Sequence, residues 1–111
     1  MAYVTDYREM FTLFSRRPGM YLPNPVSFAT AVAFIQGCDT MSGGEMLDGF
    51  RDWLVSAKLG QFENSLVWWA LVLHLVEPAG PKDARNLNPE ADAAALDLLF
   101  ALVDEFLDHR G

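Results

Sequence analysis

The chain has one cysteine, two histidines and few basic residues, and each shortage excludes a class of function. With Cys38 alone, no disulfide forms within the chain, which is typical of proteins of a reducing cytoplasm. The sequence contains no His-Glu-x-x-His, Cys-x-x-Cys or Gly-x-Ser-x-Gly motif, and His74 and His109 are too few to build a clustered zinc site. We therefore predict no metal, no cofactor and no catalytic residue, and we expect a protein that is not an enzyme.

Basic residues are also scarce, and this shortage bears on the partner. Eight Lys and Arg face 15 Asp and Glu, which gives a formal net charge of -7. Arg16 and Arg17 form the only basic pair. Proteins that bind nucleic acid or anionic membranes need a positively charged stripe. The composition thus argues against both of these ligands, and it favours a basic protein as the partner.

Long hydrophobic runs are absent as well. The longest, residues 66–76, is interrupted by His74 and is too short to cross a bilayer of ~30 Å at ~1.5 Å per residue. The first residues lack the basic start and apolar stretch of a signal peptide, so we expect a cytoplasmic protein. Eight Phe and three Trp within a 51% hydrophobic composition supply enough bulk for a single folded domain over residues 1–111.

Gly and Pro divide the chain into five segments with helical patterns. We predict an all-α compact bundle in which a central apolar helix covers residues 66–76, although a buried strand is the alternative for such a run. A short strand is also conceivable at residues 20–22. Thr5, Ser27, Asn64 or Ser65, and Asn88 followed by Pro89, are the predicted helix starts. The predicted helices span about residues 6–16, 28–38, 45–59, 66–76 and 89–110.

The third segment has the clearest amphipathic pattern. Its apolar residues fall on one stripe at helical spacing, and Gly60 follows as a predicted left-handed cap. The stripe consists of Met46, Leu47, Phe50, Trp53, Leu54 and Ala57.

The acidic residues are grouped more closely than composition requires. At 100° per residue, Glu90, Asp97, Asp104 and Asp108 fall within about 40° of one another on the last helix. On the predicted third helix, three further acids fall within about 60° of each other. Like charges on one helix face cost a few tenths of a kcal/mol each, so they do not serve helix stability. They form either a solvated outer face or a docking surface for a basic protein. The three acids of the third segment are Glu45, Asp48 and Asp52.

Four other side chains admit a structural and a functional interpretation. His74 lies in an apolar helix, so it is either a core histidine or a catalytic base. Cys38 ends an apolar helix, so it is either a buried thiol or a nucleophile. Trp68 and Trp69 point about 100° apart on a helix, which fits either a fully buried helix or an interface anchor.

Three short motifs resemble those of small bacterial proteins, some of which are immunity proteins that neutralise secreted toxins. These proteins carry an Arg-Pro-x-Met-Tyr-Leu segment, here residues 17–22, after a short first helix. An apolar helix, a Gly-Phe-x-x-Trp-Leu stretch (residues 49–54) and an Asn-x-x-x-Trp stretch (residues 64–68) follow. The resemblance covers about residues 7–76 and implies a toxin-binding role, but it assigns no binding residue. Residues 23–24, Pro-Asn, depart from the Gly usually found there, and residues 16–21 alternatively serve only to end the first helix.

These observations lead to one functional expectation with two alternatives. We expect an inhibitory or immunity-type protein that occludes a basic partner, such as a toxin, through its acidic helix faces. The first alternative is a helical scaffold or a subunit of a homo-oligomer, and the second is an enzyme with a site that the sequence does not reveal.

Overall fold

The computed structural model describes residues 6–23, 25–60, 64–80 and 82–110. Within these ranges the regular structure is helical and contains no strand, which confirms the predicted all-α bundle of about five helices. A 3-10 turn at Pro18–Met20 follows the first helix. The five helices are α1 (Tyr7–Arg16), α2 (Phe28–Met41), α3 (Phe50–Trp53, continued by a π-helical turn at Leu54–Lys58), α4 (Trp68–Val76) and α5 (Pro89–Arg110).

Two of the predicted helix starts are confirmed by their caps. The Ser27 hydroxyl accepts a hydrogen bond from the Thr30 amide, while the Thr30 hydroxyl accepts one from the Ser27 amide. At the start of α5, the Asn88 side chain accepts from the Ala91 amide at 2.8 Å, and Pro89 occupies the first helical position. Both arrangements satisfy amides that have no partner inside the helix.

Helix α1 begins one residue later than predicted. Asp6 is its N-cap, and the Asp6 carboxylate accepts from the Arg8 amide at 2.9 Å. Thr5, the predicted cap, lies outside the described residues.

The predicted third helix is wrong over its first turn, because residues 45–49 form turns and α3 begins only at Phe50. Two side chains from the end of α2 occupy amides in this stretch: Asp39 accepts from the Leu47 amide at 2.8 Å and Ser42 from the Met46 amide at 3.0 Å. Gly49 then adopts a left-handed conformation with φ of 81°, which an α-helix does not contain.

The burial pattern of the third segment is nevertheless close to the prediction. Met46, Leu47, Phe50 and Leu54 are buried and Trp53 is half-buried, whereas Ala57 is exposed. The left-handed Gly60 is confirmed, with φ of 62°.

Three further features differ from the prediction, and the first is the end of α2, which lies at Met41 rather than near Cys38. Helix α4 begins at Trp68 rather than at Asn64 or Ser65, because the Asn64 side chain accepts from the Leu66 amide and holds this stretch out of the helix. The proposed short strand at residues 20–22 is absent, because amides of this segment bond to the Pro18 carbonyl in a turn.

Helix α5 organises the bundle, since it packs against each of the other four helices. Helix α4 is strongly apolar, as predicted, and its residues 70–73 are all buried. One continuous core cluster joins the helices from Phe11 in α1 to Leu107 in α5. Aromatic rings fill much of it, including Phe14 stacked on Phe34 at 4.1 Å between centroids. Among the described residues, no helix combines the length and the apolar character that crossing a membrane requires.

Candidate protein-binding surface

Arg110 joins the acidic third segment to the end of α5, and Arg8 joins α1 to the same end of α5. The guanidinium of Arg110 donates to the carbonyl oxygens of Glu45 at 2.8 Å and Asp48 at 3.0 Å, and also to the Tyr7 hydroxyl at 2.6 Å. Arg8 on α1 pairs with Asp104 and Asp108 of α5, which precede Arg110 by six and two residues. Two acidic groups that are 50 residues or more apart in sequence thus become neighbours. We call this region the acidic end, defined by Glu45, Asp48, Asp52, Asp104, Glu105 and Asp108.

A shallow groove of about 610 Å³ lies at the acidic end. Trp53 is half-buried and contributes an aromatic ring to the groove. The remaining lining comes from α5, where three carboxylates and an imidazole follow one another along the last turns. An aromatic ring beside charged groups is a common composition for protein-binding hot spots. The α5 residues that line the groove are Ala101, Asp104, Glu105, Asp108 and His109.

Ion pairs within the chain partly neutralise this groove. Arg8 contacts Asp104 at 2.8 Å and Asp108 at 2.6 Å, and Lys58 contacts Glu105 at 2.9 Å. Partial burial lowers the pKa of Arg8, but its hydrogen bonds to Asp108 and Asp104 outweigh this, and the pKa is raised overall. The carboxylates keep more than half of their side-chain surface exposed. A cation from a partner can therefore still reach them.

The other five predicted acids are exposed and take part in none of the ion pairs among the described residues. Three of them, Glu45, Asp48 and Asp52, belong to the acidic end, although Glu45 and Asp48 lie on turns rather than on the predicted helix. Glu90 and Asp97 lie farther along α5, about 21 Å and about 10 Å from Asp104 at 1.5 Å per residue. Glu90 and Asp97 are therefore not part of the acidic end.

Sequence reasoning missed Trp53, Glu105 and His109 as members of this surface. Trp53 was assigned to the core stripe, and Glu105 is about 100° from Asp104 on an ideal helix. Lys58 lies 5.4 Å from the Trp53 ring and also binds Glu105, so it links the two. No local sequence pattern predicts these contacts, because they join α3 to α5.

A second, more apolar groove of about 580 Å³ runs between α1 and α2. Tyr7 and Met10 line it from α1, and Phe34, Cys38 and Met41 line it from α2. Burial raises the pKa of the Cys38 thiol. The thiol is thus kept protonated, which does not suit a nucleophile.

The remaining singled-out residues lie in the helical packing. Trp68 contacts the Phe50 ring, with centroids 5.8 Å apart, and its indole N–H donates to the Gln36 amide oxygen at 3.0 Å. Trp69 and His74 are half-buried on α4. The rest of the described chain contains no group of three or more His, Cys, Asp and Glu placed to hold a metal ion.

The motifs that resemble those of immunity proteins serve packing: those at residues 49–54 and 64–68 bind each other, and that at residues 17–22 packs on α1 and α2. The Arg51 guanidinium donates to the Leu66 carbonyl at 2.7 Å and to the carbonyl and side-chain oxygens of Asn64, both at 2.9 Å. Tyr21 packs edge-on against Phe14 and Phe34. In comparisons with protein-family models, with curated proteins and with solved structures, this chain matches none of them.

Proposed function

We propose that this chain is a small inhibitory protein of the immunity type, which binds a basic protein through its acidic end and blocks it by occlusion. The observation that carries the proposal is the exposure of the Glu45, Asp48 and Asp52 side chains in the segment that also carries Trp53, because their carboxylates form no ion pair among the described residues. A cationic surface on the partner supplies the positive charges that pair with these carboxylates. The half-buried indole supplies apolar contact at the centre.

In this proposal, electrostatic attraction mainly raises the association rate with the partner. A net charge of -7 draws a basic partner toward the protein and disfavours acidic competitors. The bound protein then needs no chemistry, because a domain seated over the partner's working surface excludes its substrate. Arg8 and Lys58 keep the α5 carboxylates in place, so the acidic end is ordered before the partner arrives, which lowers the entropic cost of binding.

Affinity capture from cells that produce the protein tests the proposal. The tagged chain, used as bait at low ionic strength, is expected to recover one stoichiometric basic protein. A Glu45→Gln/Asp52→Asn variant should recover roughly fivefold less, because rim charges contribute about 0.2–1 kcal/mol each.

Two variants that remove the same number of charges serve as controls. Glu77→Gln/Asp83→Asn lies away from the acidic end and should recover the partner as the wild type does. Glu90→Gln/Asp97→Asn tests the other half of the predicted site, and we expect a smaller loss there. Equal recovery by all three variants and the wild type would show that the acids do not bind the partner.

A further inference from the structure

The outer face of α1 has an ordered distribution of charge that the proposed function does not use. At 100° per residue, the cap residues and the exposed positions of α1 form one stripe about 120° wide. Acidic residues occupy the start of this stripe, apolar residues its middle and basic residues its end. The opposite face of the helix carries the buried Phe11 and Phe14. The stripe consists of Asp6, Glu9, Met10, Leu13, Arg16 and Arg17.

The members of this stripe are accessible. Asp6, Glu9, Arg16 and Arg17 are exposed, as is Leu13, a large hydrophobic residue with 37% of its surface in solvent. Met10 is half-buried and lines the apolar groove between α1 and α2.

The two bases of the stripe form no ion pair with any described residue. Five of the eight basic side chains hydrogen-bond to other parts of the chain: Arg8, Arg51, Lys58, Lys82 and Arg110. Arg16 and Arg17 form none of the ion pairs or side-chain hydrogen bonds found in the described part of the chain. In a protein with a net charge of -7, these two adjacent bases remain available to an acid on another chain.

This order is complementary to itself when a second copy lies antiparallel. A two-fold axis near residue 12 places each residue i opposite residue 24 - i of the other copy. Asp6 then lies opposite position 18, one residue from Arg17, and Glu9 lies opposite position 15, one residue from Arg16. The offset at Glu9 is about 1.5 Å along the helix, and Arg17 is the C-cap directly after α1, so both pairs are within the reach of these long side chains. By the same relation Met10 lies opposite position 14, one residue from Leu13, so the apolar centres lie close together.

The apolar groove continues this surface. It opens beside Asp6 and is bordered by Met41, of which 88% is exposed. In the antiparallel pair, Arg17 of the second copy lies near Asp6, and Met20 follows it three residues later. Met20 is 71% exposed, and thioethers adapt well to irregular apolar grooves.

We propose that α1 is a self-association surface, on which a second copy of this chain docks antiparallel about a two-fold axis to form a homodimer. Such an interface is isologous, because the same stripe serves both partners. It pairs two acids and two bases from each copy, so the stripes are neutral together while the remainder of each molecule stays acidic. The proposal does not depend on the acidic end or on any other partner.

Sedimentation velocity of the full chain over a concentration series tests the proposal with two charge-reversal variants. Wild type is expected to form dimers. Glu9→Lys leaves only bases in the two inner Glu9–Arg16 pairs, and Arg16→Glu leaves only acids there, so each variant alone should dimerise at least tenfold more weakly. An equal mixture of the two variants restores opposite charges across the axis and is expected to form a mixed dimer.

The mixture separates a docking effect from a folding effect. Each reversal slightly opposes the helix dipole, so circular dichroism checks that α1 stays folded, and Leu13→Ser provides a variant that removes the apolar centre without a charge change. Leu13→Ser is also expected to weaken the dimer. Wild type that stays monomeric up to roughly 1 mM, or folded single variants that dimerise as wild type does, would overturn the proposal. A mixture that stays monomeric would overturn it too.

Discussion

Arg51 shows how much of this fold depends on one polar side chain. It makes three hydrogen bonds to Asn64 and Leu66, all of them partly buried. These bonds fix the approach to α4 against α3, so that the rings of Phe50 and Trp68 meet. The arginine is therefore a structural residue, and the two motifs that it joins are packing motifs.

Replacing Arg51 with Met should lower the free energy of unfolding by about 2 kcal/mol, because the aliphatic stem remains but the carbonyls lose a charged donor. Urea unfolding followed by tryptophan fluorescence measures the change. Arg85→Met is the control, since Arg85 is exposed and should change stability by less than about 0.5 kcal/mol. Equal effects of the two variants would show that the Arg51 bonds contribute little.

Cys38 gives a second test at this scale through its raised pKa. The protonated thiol is favoured in the folded chain, so its contribution to stability is complete below the pKa of the unfolded chain and is lost as the pH rises through the folded pKa. The pH dependence of the rate of alkylation by iodoacetamide should therefore give a higher pKa for the Cys38 thiol in the folded chain than in the urea-unfolded chain. Because Cys38 is the only thiol, the label reports on it alone. A folded value equal to or below the unfolded one would contradict the burial argument.

At the scale of the helices, the sequence correctly predicts those helix starts that depend on side chains only a few residues away. The starts of α2 and α5 follow from Ser27 and Asn88, whose side chains bond to amides three residues away. The start of α3 follows from distant groups, because Asp39 binds the amide of Leu47, eight residues along. The acidic end could not be predicted from local sequence either, because Arg8 and Arg110 form it through contacts with residues that are far away in the chain.

A matched pair of glycine substitutions tests the corrected start of α3. A Cβ atom at Gly37 or at Gly49 would meet no atom within 4 Å, so space is equal at both positions. Gly37 is helical, and Gly37→Ala should stabilise the fold by about 0.5–1 kcal/mol. Gly49 has φ of 81°, and Gly49→Ala should destabilise it by about 1 kcal/mol.

Urea unfolding of both variants distinguishes the observed turn from a continuous helix over residues 45–59. In a continuous helix, alanine at position 49 would raise stability by about 1 kcal/mol. Stabilisation by both substitutions would therefore contradict a helix that begins at Phe50.

At the scale of the whole molecule, the distribution of charge separates internal from external roles. Most bases hold elements of the fold together, whereas many acids remain exposed without an ion pair. Arg8 and Arg110 tie α1 and the turn at residues 45–48 to the last helix. The exposed acids that remain at this end are the basis of the proposed inhibitory role, and α1 is a separate surface.

The most direct test of that role is the salt dependence of binding to the captured partner, measured by isothermal titration between about 50 and 300 mM NaCl. We predict that the dissociation constant of the wild type rises with salt. For Glu45→Gln/Asp52→Asn, we predict weaker binding at low salt and a shallower dependence, because fewer charges are screened. A dissociation constant that is independent of salt and unchanged in this variant would contradict docking through the acidic end.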